Sequence, residues 1–191
     1  MAEAEVDEVR EMLERYVGRP FGPPSDAPDP VNVPMMRHWV DALDDRNPVY
    51  LDDEAAQAAG FEGRVAPPAM LQVWSMPRPK IEGIAERGGR PNEMLGDNPL
   101  VALDEAGYGG SLATNSELEF HRYLRPGEQL HTDTEVESIS NRKNTALGQG
   151  YFVTWVTRYR TDDGELVGQQ LFRIFKFDPS TIDPSRLGVQ K

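Results

Sequence analysis

The 191-residue chain contains no cysteine, which excludes disulfides, thiolate nucleophiles and cysteine-ligated metal centres. Histidine is nearly as scarce. His38, His121 and His131 are the full set, no two of them fall at ligand spacing, and neither a metal nor any other cofactor is expected. Basic residues are also in deficit, 20 Lys and Arg against 32 Asp and Glu, and the resulting net charge of −12 argues against a nucleic-acid or anionic-membrane surface. No apolar run reaches membrane-spanning length, and the acidic first residues lack the basic and apolar regions of a signal peptide, so a cytoplasmic location is the expectation. What is present suffices for a core: 38% of the residues are apolar, in a length that suits one domain or two small ones. The 17 glycines and 16 prolines point to long connections between elements.

Val6, Val9, Leu13 and Tyr16 recur at helical spacing in the charged segment 3–17, predicting an amphipathic helix stopped by Gly18. Residues 19–34 hold six prolines, which remove amide donors and predict an extended crossing. A second helix is expected from Pro34, with Met36, Trp39, Val40 and Leu43 as its buried stripe and Asn47-Pro48 as the turn after it. Asp52, Asp53 and Glu54 suit the start of a short alanine-rich helix closed by Gly60. In segment 66–76, Met70, Leu71, Val73, Trp74 and Met76 place apolar side chains almost all round a helix, predicting one that is centrally buried. Residues 77–113 show little periodicity and read as an insertion of the kind that serves as a lid or binding loop.

Beyond it the period changes. Leu118, Phe120 and Leu124 alternate with polar residues, and further strands are expected over 129–137, 150–160 and 165–177, the last two joined by an Asp163-Gly164 hairpin turn. One all-apolar helix followed by consecutive long antiparallel strands predicts an α+β fold, a curved antiparallel sheet wrapped around a central buried helix. The expected organisation is an N-terminal helix and crossing over 1–31, a single domain over 32–177 and a tail over 178–191.

The strings Asp45-Arg46-Asn47-Pro48-Val49-Tyr50 and Gly63-Arg64-Val65-Ala66-Pro67-Pro68-Ala69-Met70-Leu71, with the later turn Arg125-Pro126-Gly127-Glu128, resemble the MaoC-like hydratases and dehydratases of the hot-dog fold. The Ala-Pro-Pro variant is similar to the N-terminal dehydratase-type domain of that family. Met36-Arg37-His38-Trp39, Ala113-Thr114-Asn115-Ser116-Glu117 and Thr154-Trp155-Val156-Thr157 are similar to the larger, non-catalytic subunit of the actinobacterial heteromeric steroid side-chain enoyl-CoA hydratase. What the resemblance implies is addition of water to a trans-2-enoyl-CoA thioester by an Asp and a His, with a backbone amide facing the thioester oxygen. It further implies a smaller hot-dog partner subunit. In the larger subunit of that enzyme an OB-like domain that recruits an aldolase follows the hot-dog domain, and no such domain is recognisable before Lys191.

Two departures decide the expected role. The family's Asp is matched by Asp45, but its His is matched by Tyr50, whose reference pKa of about 10 makes it no base near neutrality. The glycine whose amide binds the oxyanion is matched by Pro68, which has no amide hydrogen. Losing such a donor costs about a hundred- to a thousandfold in rate, and losing the acid-base partner about a hundred- to ten-thousandfold. No catalytic residue is therefore assigned to this chain. The expected substrate-contacting residues are Asp45, Asn47, Tyr50, Pro68 and Trp74, in a pocket for a bulky acyl group whose chemistry a partner performs. Two rival readings are a self-sufficient homodimer using Asp45 with Tyr50 or His38, and a module that docks another enzyme. The stretch with Arg78, Lys80, Arg87 and Arg90 reads as a solvated loop, His121 and His131 as polar-face residues of their strands.

Overall fold

Alternation along the second half of the chain produces four long strands, Gly110–Phe120 (β2), Leu130–Ile139 (β3), Gly148–Thr161 (β5) and Leu166–Phe177 (β6). Two short ones, Ser25–Asp26 (β1) and Lys143–Thr145 (β4), complete the sheet in a computed structural model that describes residues 7–86, 96–183 and 185. Every pairing is antiparallel, the order is β1-β3-β5-β6-β2, and β4 pairs with β5. The β5–β6 hairpin turns where it was expected, with Gly164 at φ 85°, a left-handed conformation that glycine adopts without steric cost. The fold is α+β, as expected.

The first half supplies the helices Glu8–Glu14 (α1), Val33–Leu43 (α2), Pro48–Leu51 (α3), Asp53–Ala58 (α4), Leu71–Trp74 (α5) and, within the segment read as an insertion, Pro99–Glu105 (α6). Asn32 caps α2 by accepting from the Met35 amide at 3.0 Å, and Asp44 ends it in a left-handed conformation at φ 52°. Val6 lies outside the described residues, as do Arg87, Arg90 and most of the tail from Pro184 onward.

Three expectations are corrected. The central helix spans only a 3-10 turn, Pro68–Met70, and α5, because Pro77 and Pro79 remove amide donors and push the residues before them away from helical angles. Met76 is consequently 57% exposed, and Leu43, at the frayed end of α2, is 62% exposed. The first long strand starts at Gly110 and ends at Phe120, leaving Leu124 buried in the following loop. The crossing is not merely extended: Gly18, Phe21, Ala27 and Val31 donate backbone hydrogen bonds to Val136, Thr134, Leu130 and Glu128, so it lines the edge of β3 like an irregular strand.

Both main clusters of buried side chains lie on one face of the sheet. Met70, Leu71 and Trp74 pack with Leu130, Tyr159 and Val167 at one end, while Leu13 and Tyr16, just beyond α1, together with Leu100 and Leu103 of α6, pack with Val136, Ile139, Val153 and Ile174 at the other. Gly168 allows the first contact. A Cβ there would stand 2.6 Å from the Glu119 carbonyl oxygen and 2.7 Å from Leu71 Cδ2, too close for any larger residue without a shift.

Candidate functional site

Asp45, Asn47 and Tyr50 are brought together by the turn between α2 and α3. The Asp45 carboxylate accepts from the Asn47 amide at 3.0 Å, and the Asn47 side chain accepts from the Val49 amide at 3.3 Å, capping α3 with Pro48 in its first turn. Both polar side chains thus hold the backbone that presents Tyr50. Tyr50 is 9% exposed, packs with Val40 and Val65, and its hydroxyl contacts Asn47 and Tyr123. Burial, then the neighbouring Tyr123, pushes this hydroxyl above its ordinary value, further from any role as a base near neutrality. Tyr123 was not singled out from the sequence; it stacks edge-on against Phe61 at 5.1 Å and lines a cavity of about 290 Å³ with Val65, Arg122 and Arg125.

The Val65 amide donates to the Val49 carbonyl at 3.2 Å, which ties the segment leading to Pro67-Pro68 to α3. Pro68 opens the 3-10 turn with no side-chain cap. Trp74 sits at the other end of the short helix, 2% exposed, its Nε1 buried without a partner among the described residues, and borders a largely apolar groove of about 290 Å³ with Met35, Val73 and Met76. The structure therefore groups Asp45, Asn47 and Tyr50 at the α2–α3 turn and sets Pro68 and Trp74 at opposite ends of the short helical segment. His38 is exposed, and α2 ends before Asp45, so the two do not share a helix face as a surrogate acid-base pair requires. His131 on β3 bridges Asp26 and Asp162 at 2.7 and 2.6 Å, which raises its pKa, Asp162 contributing most. Among the described residues no cluster of three or more ligating side chains forms a metal site.

The short helix leaves part of the sheet uncovered. Residues paired across antiparallel strands share a face, so Leu118, Gln170, Thr157 and Thr134 form one row and Ser116, Phe172, Trp155 and Val136 the next. These rows lie between the region under α5 and the region under α1 and α6. Ser116 is exposed and Leu118, Thr157, Trp155 and Phe172 are half-buried. Phe21, Trp155 and Phe172 make an aromatic strip, with ring centroids 4.8 and 5.2 Å apart. Beside it Gln170, only 4% exposed, accepts from the Tyr159 hydroxyl at 3.1 Å and donates to Ser116 Oγ at 2.9 Å and Gln72 Oε1 at 3.1 Å. Burial pushes the Tyr159 hydroxyl up to about 12, which keeps it a donor. Sequence reading missed this network because its members lie up to 98 residues apart.

Residues 15–170 match the family model described as FAS1-like, dehydratase domain region. A Thermomonospora curvata protein named probable enoyl-CoA hydratase alpha subunit is 47% identical over 174 residues, covering 91% of this chain and 53% of its own length. The Mycobacterium tuberculosis 3-oxo-4,17-pregnadiene-20-carboxyl-CoA hydratase alpha subunit is 43% identical over 177 residues, 92% of this chain and 54% of that protein. The chain thus spans about half the length of these curated relatives. In the crystal structure of the ChsH1-ChsH2 complex from Mycobacterium tuberculosis, one chain superposes with a TM-score of 0.76 at 40% identity, covering 94% of this chain and 96% of that one. A MaoC-like dehydratase from Rhodospirillum rubrum, at 20% identity and a TM-score of 0.54, shares the fold.

Proposed function

From the premise that the chain belongs to the FAS1-like dehydratase family of hot-dog proteins, we propose that it is the non-catalytic, substrate-accommodating subunit of a heteromeric enoyl-CoA hydratase. A smaller hot-dog partner supplies the Asp, the His and the oxyanion amide, and the substrate is a bulky, ring-bearing enoyl-CoA thioester like the steroid carboxyl-CoA in the name of the mycobacterial relative.

One observation carries the proposal. At the two positions where the family's chemistry needs a proton-exchanging imidazole and an N–H, this chain has Tyr50, whose hydroxyl is buried with its pKa raised, and Pro68, which has no amide hydrogen. Asp45, the surviving family position, is engaged in a turn. Asp45, Asn47, Tyr50, Pro68 and Trp74 then shape a pocket rather than react in it. The open rows beside α5 give ring systems room that a longer helix would occupy, since a helix adds about 1.5 Å of cover per residue.

The partner's place is supported by the sheet's two unlike edges. The β3 edge is covered by the crossing, whereas β2 is exposed along nearly its whole length, with Leu112 at 47% and Phe120 at 42%. An uncovered eleven-residue edge strand with apolar side chains is a template for another chain. The test is hydration of an enoyl-CoA thioester, followed by loss of its ultraviolet absorbance, with the purified chain alone and with the partner subunit. Turnover is expected only in the mixture. Comparable turnover by the chain alone would transfer the chemistry to Asp45 and its neighbours in a homodimer.

A further inference from the structure

Gln72 and Ser116 are the exposed ends of a polar chain whose middle members, Gln170 and Tyr159, are buried. Gln170 uses both N–H groups, on Ser116 and Gln72, and its oxygen accepts from Tyr159. Gln72 Oε1 is occupied by Gln170, and its Nε2 has no partner among the described residues. In this arrangement the carboxamide end that Gln72 leaves outward is its Nε2 donor.

The surroundings define what that donor meets. Gln170 lies in the row next to Ser116, Phe172 and Trp155, and residues two apart on one strand face are about 7 Å apart. This half-buried floor thus combines an aromatic strip, suited to flat ring surfaces, with the Gln72 N–H donor and the exposed Ser116 hydroxyl at its margin. Strip and donor together match a fused-ring acyl group bearing a carbonyl oxygen. A purely aliphatic acyl chain would leave the carboxamide without a partner.

We propose that Gln72, held by Gln170, is a specificity-determining residue that donates a hydrogen bond from Nε2 to a ring carbonyl of the acyl group, the rings lying against Trp155 and Phe172. The inference rests on the substrate class proposed above. Gln72 contacts the substrate, and Gln170 is a positioning residue.

The test uses the complex of this chain with its partner subunit and three CoA thioesters: a ring ketone, the corresponding ring alcohol and the ring analogue without oxygen. Saturated forms are used for binding by calorimetry and enoyl forms for turnover. Gln72→Leu is expected to weaken binding and raise KM for the ketone roughly five- to tenfold, with kcat and the oxygen-free analogue unchanged. Gln72→Glu keeps the bond from Gln170 but presents an acceptor, and it is expected to favour the alcohol over the ketone. Equal effects of Gln72→Leu on ketone and oxygen-free analogue, or no effect on either, would overturn the assignment while leaving the hydratase reading intact. A wild-type complex that neither binds nor hydrates any of the three would overturn the hydratase reading, and this inference with it.

Discussion

The proposal turns on Tyr50 and Pro68, whose chemistry does not depend on geometry: a phenol is no base near neutrality, and an imino acid donates no hydrogen bond in any fold. What the sequence left unread is the work done by the neighbouring polar side chains. Asp45 accepts from the Asn47 amide and Asn47 caps α3, so their contribution is local order. Asp45→Asn keeps an oxygen to accept the amide while removing the charge, and Tyr50→Phe keeps the ring. Both are expected to leave kcat of the two-subunit complex within about threefold, against the hundredfold or larger loss that removal of a working acid or base produces. Steady-state kinetics of the complex check this, and a hundredfold fall for Asp45→Asn would return catalysis to this chain. Gln72 and Gln170 mark the opposite limit. Nothing near either residue in the sequence announces the other, because β6 and α5 meet only after the sheet has formed.

Elements were read well where one local signal sets both type and boundary. The β5–β6 hairpin is such a case, since an Asp-Gly pair between alternating stretches fixes turn and register together. The central helix was misjudged in length because seven apolar residues show that a helix is buried, whereas its end is set by Pro77 and Pro79. Its position depends on a residue far away, Gly168, which permits Leu71 to approach β6. Gly168→Ala is expected to destabilise the chain by about 1–3 kcal/mol, as overpacking does, read from the urea midpoint. It should also weaken acyl-CoA binding by displacing α5 from the sheet.

The His131 bridge acts at the same scale by joining β1 to the β5–β6 turn. Asp162 and Asp26 raise its pKa in the folded state, so its stabilisation is fully present below the unfolded value of about 6.5 and is lost as pH rises through the higher folded value. The gap in urea midpoint between wild type and His131→Gln should therefore be widest near pH 6 and close at alkaline pH. A gap that widens with pH would contradict the bridge.

For the whole molecule, the asymmetry of the two sheet edges gives the proposed partnership a direction. One edge is lined by backbone hydrogen bonds from the crossing, while the other, β2, pairs only with β6 among the described residues and presents Leu112 and Phe120. If a second hot-dog subunit continues the sheet there, charge at those two positions must be desolvated on association but remains in water in the free chain. Leu112→Lys with Phe120→Lys is therefore expected to weaken association with the partner by more than about tenfold, since burying an unpaired ammonium at an interface costs well over the roughly 1.4 kcal/mol that a tenfold change represents. The melting temperature of the isolated chain should change little, because both side chains are already exposed. Hydratase activity should fall in step with association and recover at high subunit concentration, which separates a lost interface from a damaged pocket. Unchanged association, measured by sedimentation, would place the partner on another surface.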